Sequence, residues 1–457
     1  GIGGSGITSS GTITGFGSFY LNGVKYDDNT ATVASDDNPN FTKDDLRLGM
    51  RVTVTGTVNS DGTGIANTVS FSGDLEGPVS GLVDVGNDGL IREFRVLGRL
   101  VRINADTTSF DVTGALAGTT FDFGSIVDVN HVEVSGFLDS NGVMIATRVE
   151  LKATTFNITS LIELKGTVTG FNPADDTFTL ANTTGVTIDA TGALIDNSLP
   201  GGIADGAFVE VKGQCSNGTC NTINASKVES GLEDFSDNDN VEFEGIITSL
   251  NDPNTFEVNG IPVDASSATR IPASFTPALN QEVEVEGTMN GNTLVATKVK
   301  DESNDIKIEA TILDVTPASS SFRLEPVTGQ TITVVMDKST EVDDDFGTIT
   351  NPDDLINSLS SGQFVSVKGY KGDNNTVVAS EVKREATADD VIVQGIMDSF
   401  NLGNDVTVLG VTFDVDGAET EYELANDTPT NQSGFNAAAV PEKREEITKK
   451  KKLKNLR

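Results

Sequence analysis

A hairpin that returns five times is the feature that most limits what this 457-residue chain can fold into. In its first copy Val52 and Val54 alternate with threonines up to Gly56, the chain turns at Ser60-Asp61-Gly62, and apolar residues resume at Ile65, Ala66 and Val69. Period-two alternation on both sides of such a turn marks two antiparallel strands. The glycine and an alanine nine to twelve residues later recur as Gly136 and Ala146, Gly213 and Ala225, Gly287 and Ala296, and Gly369 and Ala379. Self-similarity at this period predicts a row of small units, each with its own core.

Each unit opens on a second marker, a short strand of the form Gly-x-Val/Ile-x-Gly or a close variant. These are Gly11–Phe16, Gly77–Leu82, Gly166–Phe171, Gly245–Leu250, Ala310–Val315 and Gly395–Phe400. Six openings predict six units, and spacings of 66, 89, 79, 65 and 85 residues leave room for loop insertions around a common core. A second strand carries an aromatic residue (Phe19, Phe178, Phe256, Phe322), a third follows (Val24–Tyr26, Val186–Ile188, Ile261–Val263), and a loop leads to the hairpin. Five short antiparallel strands in an open sheet would leave two exposed edges, and closure removes them. The expected fold is all-β: a tandem array of small OB-like barrels forming an elongated rod, with the hairpin glycine at a bend or bulge. The expected division is a flexible glycine-rich segment at 1–10, barrels at 11–73, 74–162, 163–240, 241–305 and 306–388, an incomplete barrel at 389–440 and a basic tail at 441–457.

The sixth unit opens normally but lacks the closing hairpin; Val440–Arg457, rich in lysine, stands in its place. Gly11–Phe16, Gly166–Phe171, Phe19-Tyr-Leu-Asn-Gly-Val24, Leu48-Gly-Met-Arg-Val-Thr-Val-Thr-Gly56 and Asp74-Leu-Glu-Gly-Pro-Val-Ser-Gly81 resemble the tandem repeats of a bacterial exported or lipoprotein domain family of unknown function. The resemblance covers about residues 1–440. It implies a place on the outer surface of a Gram-negative bacterium or in the extracellular space, and it brings no catalytic residue.

Charge narrows the partners. The formal net charge is −37; residues 1–440 hold 23 basic and 65 acidic groups, the last seventeen 8 basic and 3 acidic. A body this acidic repels nucleic acid and anionic membranes. No run of about eighteen apolar residues is present to span a bilayer as a helix. The two cysteines, Cys215 and Cys220, flank Ser-Asn-Gly-Thr in the third hairpin; facing each other across a turn, they read as a hairpin-stapling disulfide and an oxidising compartment, with free thiols as the alternative. Gly1–Gly6 reads as the end of a flexible tether.

Chemistry is sparse. The single histidine, His131, sits on a strand leading into the second hairpin and reads as an outward-facing polar residue. No Ser-His-Asp set or phosphate loop is assembled, so no catalytic and no cofactor-binding residue is assigned and the chain reads as a non-enzyme. Calcium is the one cofactor the acidic turns suit: Asp36-Asp37-Asn38, Asp84 with Asn87-Asp88, Ser236–Asn240 and Asp343–Asp345 are rich in oxygen but lack the spacing of a calcium loop. They read as solvated turns, and no metal ligand is assigned. Phe16, Phe19, Tyr20, Phe171, Phe178 and Phe256 read as core rather than as a stacking platform. The long inserts Asp106–Asp128 and Asp337–Ser361 are where a binding site would sit. The functional expectation is a structural surface protein, associating head to tail by donating a strand into the incomplete sixth barrel. The alternative is a surface-tethered binder of glycan, metal or a protein partner.

Overall fold

The hairpin glycine sits at a break in the ladder in every complete unit. In the computed structural model the register slips between Thr55 and Gly56, and likewise before Gly136, Gly213, Gly287 and Gly369. A Cβ on any of the five would stand 2.0–2.3 Å from a carbonyl oxygen of the opposite strand. Only glycine tolerates that approach, and the bulge turns the hairpin around the barrel. The structure describes residues 6–414 except 16–18, 23, 60–62, 86–90, 106, 234, 238, 272, 274, 303–305, 339, 347–348, 350, 373–375, 387–390, 396 and 402–404, together with 422–423 and 429–430.

Five units share one plan of six strands. In unit 1 these are Gly6–Gly15, Phe19–Leu21, Val24–Asp27, Thr32–Ser35, Arg51–Val58 and Thr63–Phe71. The first strand pairs with the second and the fifth, the second with the third, the third with the sixth and the sixth with the fifth, which closes a barrel. The third and sixth strands run parallel, where the sequence suggested an all-antiparallel sheet. The connection from the third strand to the fifth is long, residues 28–50 in unit 1, which frees the third strand from hairpin pairing with the strand that follows; the short fourth strand within that connection also lies parallel beside the sixth. In units 2 and 4 the chain turns between second and third strands in two residues with positive φ at both, Leu97-Gly98 (49° and 74°) and Asn259-Gly260 (51° and 80°), the turn that matches strand twist. The strands' inward residues fill each barrel, with Ile13, Phe19, Leu21, Tyr26, Val54, Ala66 and Val69 in unit 1 at no more than 1% exposure.

The first strand overhangs its barrel, and this decides how units meet. In unit 1, Gly6–Thr12 pair with the fifth strand on one edge while the second strand takes only Ile13 and Gly15 on the other. The open half-edge receives the first strand of unit 4, Asn240–Asp252, in parallel through Thr8–Val241, Ser9–Glu242 and Ser10–Phe243. Unit 2 (first strand Leu75–Val85) and unit 3 (first strand Ile162–Asn172) join through Leu75–Leu164 and Glu76–Glu163, and one hydrophobic core runs through both. Two twelve-stranded sheets result. The barrels are therefore not strung end to end in chain order: unit 1 lies beside unit 4. Gly6–Ser10 belong to the first strand and not to a flexible segment.

The sixth unit is described for Ile392–Gln394, Met397–Asn401, Asp405–Val408 and Val411–Asp414. Ile392–Gln394 pair with the first strand of unit 5, and Val406, Val408, Leu409 and Val411 extend that unit's core. Gly1–Ser5 and the basic tail lie outside the described residues.

Candidate functional site

In units 3 and 4 the outward positions of the first and hairpin strands carry Glu and Lys at alternate residues: Glu163 and Lys165, Glu210 and Lys212, Glu284 and Glu286, Lys298 and Lys300. On an isolated barrel these would face water. Here neighbouring units cover them, leaving Glu163 1%, Glu210 5%, Lys212 7%, Glu242 3% and Glu284 3% exposed. Buried charge is tolerated only when paired and hydrogen-bonded, so the seams between units are ionic networks.

The densest network lies where units 1, 2 and 3 meet. Lys212 of unit 3 donates to Asp36 and, at 2.8 Å, to Asp37 of unit 1, and stands 3.1 Å from Glu210 and 3.9 Å from Glu163. Lys165 lies 3.2 Å from Asp74 and 3.4 Å from Glu210. Arg51 of unit 1 donates to Asp74 at 2.8 Å, to the carbonyl of Gly136 at 3.2 Å and to Glu233 at 3.2 Å, and its guanidinium covers the Phe137 ring at 4.6 Å. Burial works against the charge of Lys165 and Lys212, but the surrounding carboxylates outweigh it and hold both ammonium groups well above the ordinary lysine range. Burial, then repulsion from Glu210, pushes the Glu163 carboxyl well above its usual range. Glu210 is also penalised by burial, yet Lys165, its contact with Glu163 and Lys212 bring it below the usual value.

Two hollows open on this junction. One of about 490 Å³ is bordered by Asp36, Thr53, Glu210 and Leu232. The other, about 230 Å³, is bordered by Arg51, Arg99, Phe137, Phe208, Thr248 and Glu257, so that it touches units 1, 2, 3 and 4. Both share Arg51, Asp74, Lys165 and Glu233. Arg99, 1% exposed, ties unit 2 to unit 3 by donating to the carbonyls of Gly142, Ala181 and Lys165, each at 3.0 Å. Burial without a carboxylate partner brings its pKa down to about 10.

A second network lies within unit 2, and Arg47 of unit 1 comes to 3.8 Å from its Asp111. Arg148, 1% exposed, meets Asp111, Glu133 and Glu150, and Lys152 meets Glu133. His131 belongs here. It is 5% exposed, with Nε2 2.8 Å from Glu76 and its ring edge-on to Phe156. The outward-facing reading is corrected: the outer face of that strand is covered.

The other residues singled out in the sequence disperse. Cys215 and Cys220 form a disulfide with Cα atoms 4.8 Å apart, closing the third hairpin. Phe19, Phe178 and Phe256 are buried and Phe171 packs on Phe178; Phe16 and the Tyr20 side chain lie outside the described residues. The two long inserts plug their barrels: Phe121 and Ile126 in unit 2, and Leu355 and Ile356 on the short helix Pro352–Ser358 in unit 5, point into the cores. Of the acidic turns, Asp84 pairs with Arg92, Asp344 with Arg384 and Asp345 with Lys383, while Asp36 and Asp37 enter the junction. Asn87 and Asp88 lie outside the described residues. Sequence reasoning passed over Arg51, Asp74, Glu163, Lys165, Glu210 and Lys212. The available signal was the use of Glu and Lys, where unit 1 has Thr53, Thr55, Thr68 and Ser70, at the outward positions.

A family model described as "Domain of unknown function (DUF5666)" matches the chain at residues 7–70, 76–150, 165–229, 244–300 and 309–383. No curated protein matches it.

Proposed function

The chain belongs to the DUF5666 family, and from that premise we propose that it is a non-enzymatic structural protein of the bacterial cell surface or extracellular space. The barrels are OB-like in this reading, with strand order first–second–third–sixth–fifth and a parallel third and sixth strand supporting it. One observation carries the structural role. Part of the surface that a free-standing barrel would offer to a ligand, the outward face of the first and fifth strands of unit 3, is spent on ionic contacts with units 1 and 2, as Lys212 with Asp36 and Asp37 and Lys165 with Asp74 illustrate. The plugged inserts support the same role. The hairpin disulfide supports an oxidising, exported setting.

Assembly of copies into a filament belongs to the same proposal, with one constraint. Gly6–Gly15, the strand nearest the N-terminus among the described residues, is engaged by the fifth strand of its own unit and by unit 4. Donating it to another copy would break both pairings, so copies would meet through other surfaces. Negative-stain electron microscopy with light scattering on the purified chain tests the reading. A single particle species with units 1–4 in fixed arrangement, or regular threads of such particles, is expected; beads tumbling independently on a string would refute it. The four-unit hollow beside Arg99 favours a second reading, a surface binder with its ligand at the junction. A glycan or peptide array showing saturable binding that Thr248→Trp abolishes would replace the structural role by that one.

A further inference from the structure

We propose that the seam between units 1 and 3 is a divalent-cation site, in which Asp36, Glu163 and Glu210 take a hard, oxygen-seeking ion of the calcium class and Lys212 moves aside. One ligand atom from each of the three carboxylates lies within 4.8 Å of the others. That spacing suits oxygens arranged around one ion at about 2.3–2.6 Å. Asp37, bonded to the same Lys212 ammonium, is a fourth oxygen source at the rim.

Proximity of acids alone means little in a chain with 68 of them. Glu163 supplies the independent observation. Its side chain is 1% exposed, yet neither carboxylate oxygen accepts a hydrogen bond among the described residues, and the Lys212 ammonium stays 3.9 Å from the nearer one. A buried carboxylate without a donor is costly, and it stands beside a second carboxylate, Glu210, with one oxygen of each within 4.8 Å of the other. The charge balance of the whole junction points the same way. Asp36, Asp37, Asp74, Glu163, Glu210 and Glu233 are six carboxylates, and Arg51, Lys165 and Lys212 are the three cations that meet them. An added ion of charge +2 would repel the Lys212 ammonium. The hollow of about 490 Å³ bordered by Asp36 and Glu210 gives the ion an approach and room for water ligands. Because Asp36 comes from unit 1 and both glutamates from unit 3, the ion would tie together two units that are not adjacent in the chain.

Calcium chloride titrated into the chelator-treated full chain, followed by calorimetry and by thermal denaturation, tests the site. A saturable site of one ion per chain and a rise in Tm are expected, with affinity falling at least tenfold in Glu163→Gln and in Asp36→Asn. Asp36 sits at the rim on a turn, so its variant folds even where a change at Glu163 does not. Lys212→Gln gives the decisive reading. Removing the competing ammonium tightens calcium binding about tenfold, an effect that neither loss of folding nor diffuse attraction to an acidic surface produces. Asp314→Asn, on an exposed pair with Arg323, leaves binding unchanged. Equal affinity in the wild type and Asp36→Asn, or weaker binding in Lys212→Gln, overturns the proposal and leaves a proton shared between the two glutamates.

Discussion

Arg51→Met would remove the cation through which unit 1 grips unit 2 and the segment before unit 4. The Arg51 side chain is 11% exposed and its main partner Asp74 5%, so the pair is screened little. Removing one member of a buried pair costs about 3–5 kcal/mol. Asp74 is not stranded, since Lys165 remains 3.2 Å away and the Gly136 amide donates to it at 3.1 Å. Glu233, 27% exposed, can turn to water. Methionine also keeps most of the packing on Phe137. We therefore expect a loss at or just below the low end of that range, about 2–3 kcal/mol, with a coupling of about 1–2 kcal/mol between Arg51→Met and Asp74→Asn in a double-mutant cycle. Urea denaturation read by far-ultraviolet circular dichroism, with hydrogen exchange of units 1 and 2 as the local readout, measures both. The control is Arg323→Met, whose partner Asp314 is about as exposed as Arg323 itself, at 45% and 47%; no measurable change is expected there. If Arg51→Met is as silent as Arg323→Met, units 1 and 2 are not docked through this junction and the ionic-seam argument fails.

The bulge glycines give a second test. In Gly287→Ala the new Cβ meets the Val295 carbonyl oxygen at 2.2 Å and the Ala296 Cα at 2.8 Å; both are backbone, so the hairpin must open, and a loss of about 3 kcal/mol is expected. Gly201→Ala, with nothing within 4 Å, should leave the denaturation midpoint unmoved, and equal effects at the two positions would refute the steric account. A third test concerns pH at the seam between units 1 and 4. Burial, then repulsion from Glu284, raises the Glu242 carboxyl to about 8, against the pull of Lys298 and with further repulsion from Glu286; Ser9 and Tyr26 face it from unit 1. The folded chain thus holds a proton that the unfolded chain releases near the ordinary carboxylate pKa. Stability from this group is complete at about pH 4.5 and below and falls as pH rises to about 8. Thermal midpoints should drop between pH 6 and pH 8.5 in the wild type and far less in Glu242→Gln, and an unchanged slope in that variant would remove Glu242 as the cause.

The repeat itself was readable because its causes are local. Alternating Val and Thr around a Ser-Asp-Gly turn make a hairpin wherever they occur, and a glycine returning at the same place in five hairpins announces a close approach that the structure locates at Ile65, Ile145, Asn224, Val295 and Val378. The disulfide partners were found for the same reason, being five residues apart across one turn. What escaped depends on contacts between distant parts of the chain. The parallel third and sixth strands follow from a loop path that carries no periodic signal. His131 looked outward on its own strand; what covers it is distant in sequence but in the same unit, Glu76 on the first strand and Phe156 after the hairpin.

The order of the units was the least legible property, and the reason is physical. Which barrel docks on which is decided by the free half-edge of each first strand and by the charges beside it, and those charges, Glu163 or Lys212, are the same residue types that a wet surface would carry. The sequence marks them only by their position opposite apolar neighbours such as Leu164 and Val211, both at most 1% exposed. A glutamate and a lysine two residues apart on an outward face thus admit two readings, a solvated strand or a docking seam. Unit 1 separates them: its own outward positions are Thr53, Thr55, Thr68 and Ser70, Thr53 donating to Glu233 at 2.9 Å and Thr55 meeting Thr68 at 2.6 Å, and its ionic contribution comes instead from a loop, Asp36-Asp37, and from the first residue of its fifth strand, Arg51. The seams therefore join an ionic face on one unit to a loop or strand end on another. Two ionic faces do not have to match each other residue for residue, which leaves the units free to dock out of chain order.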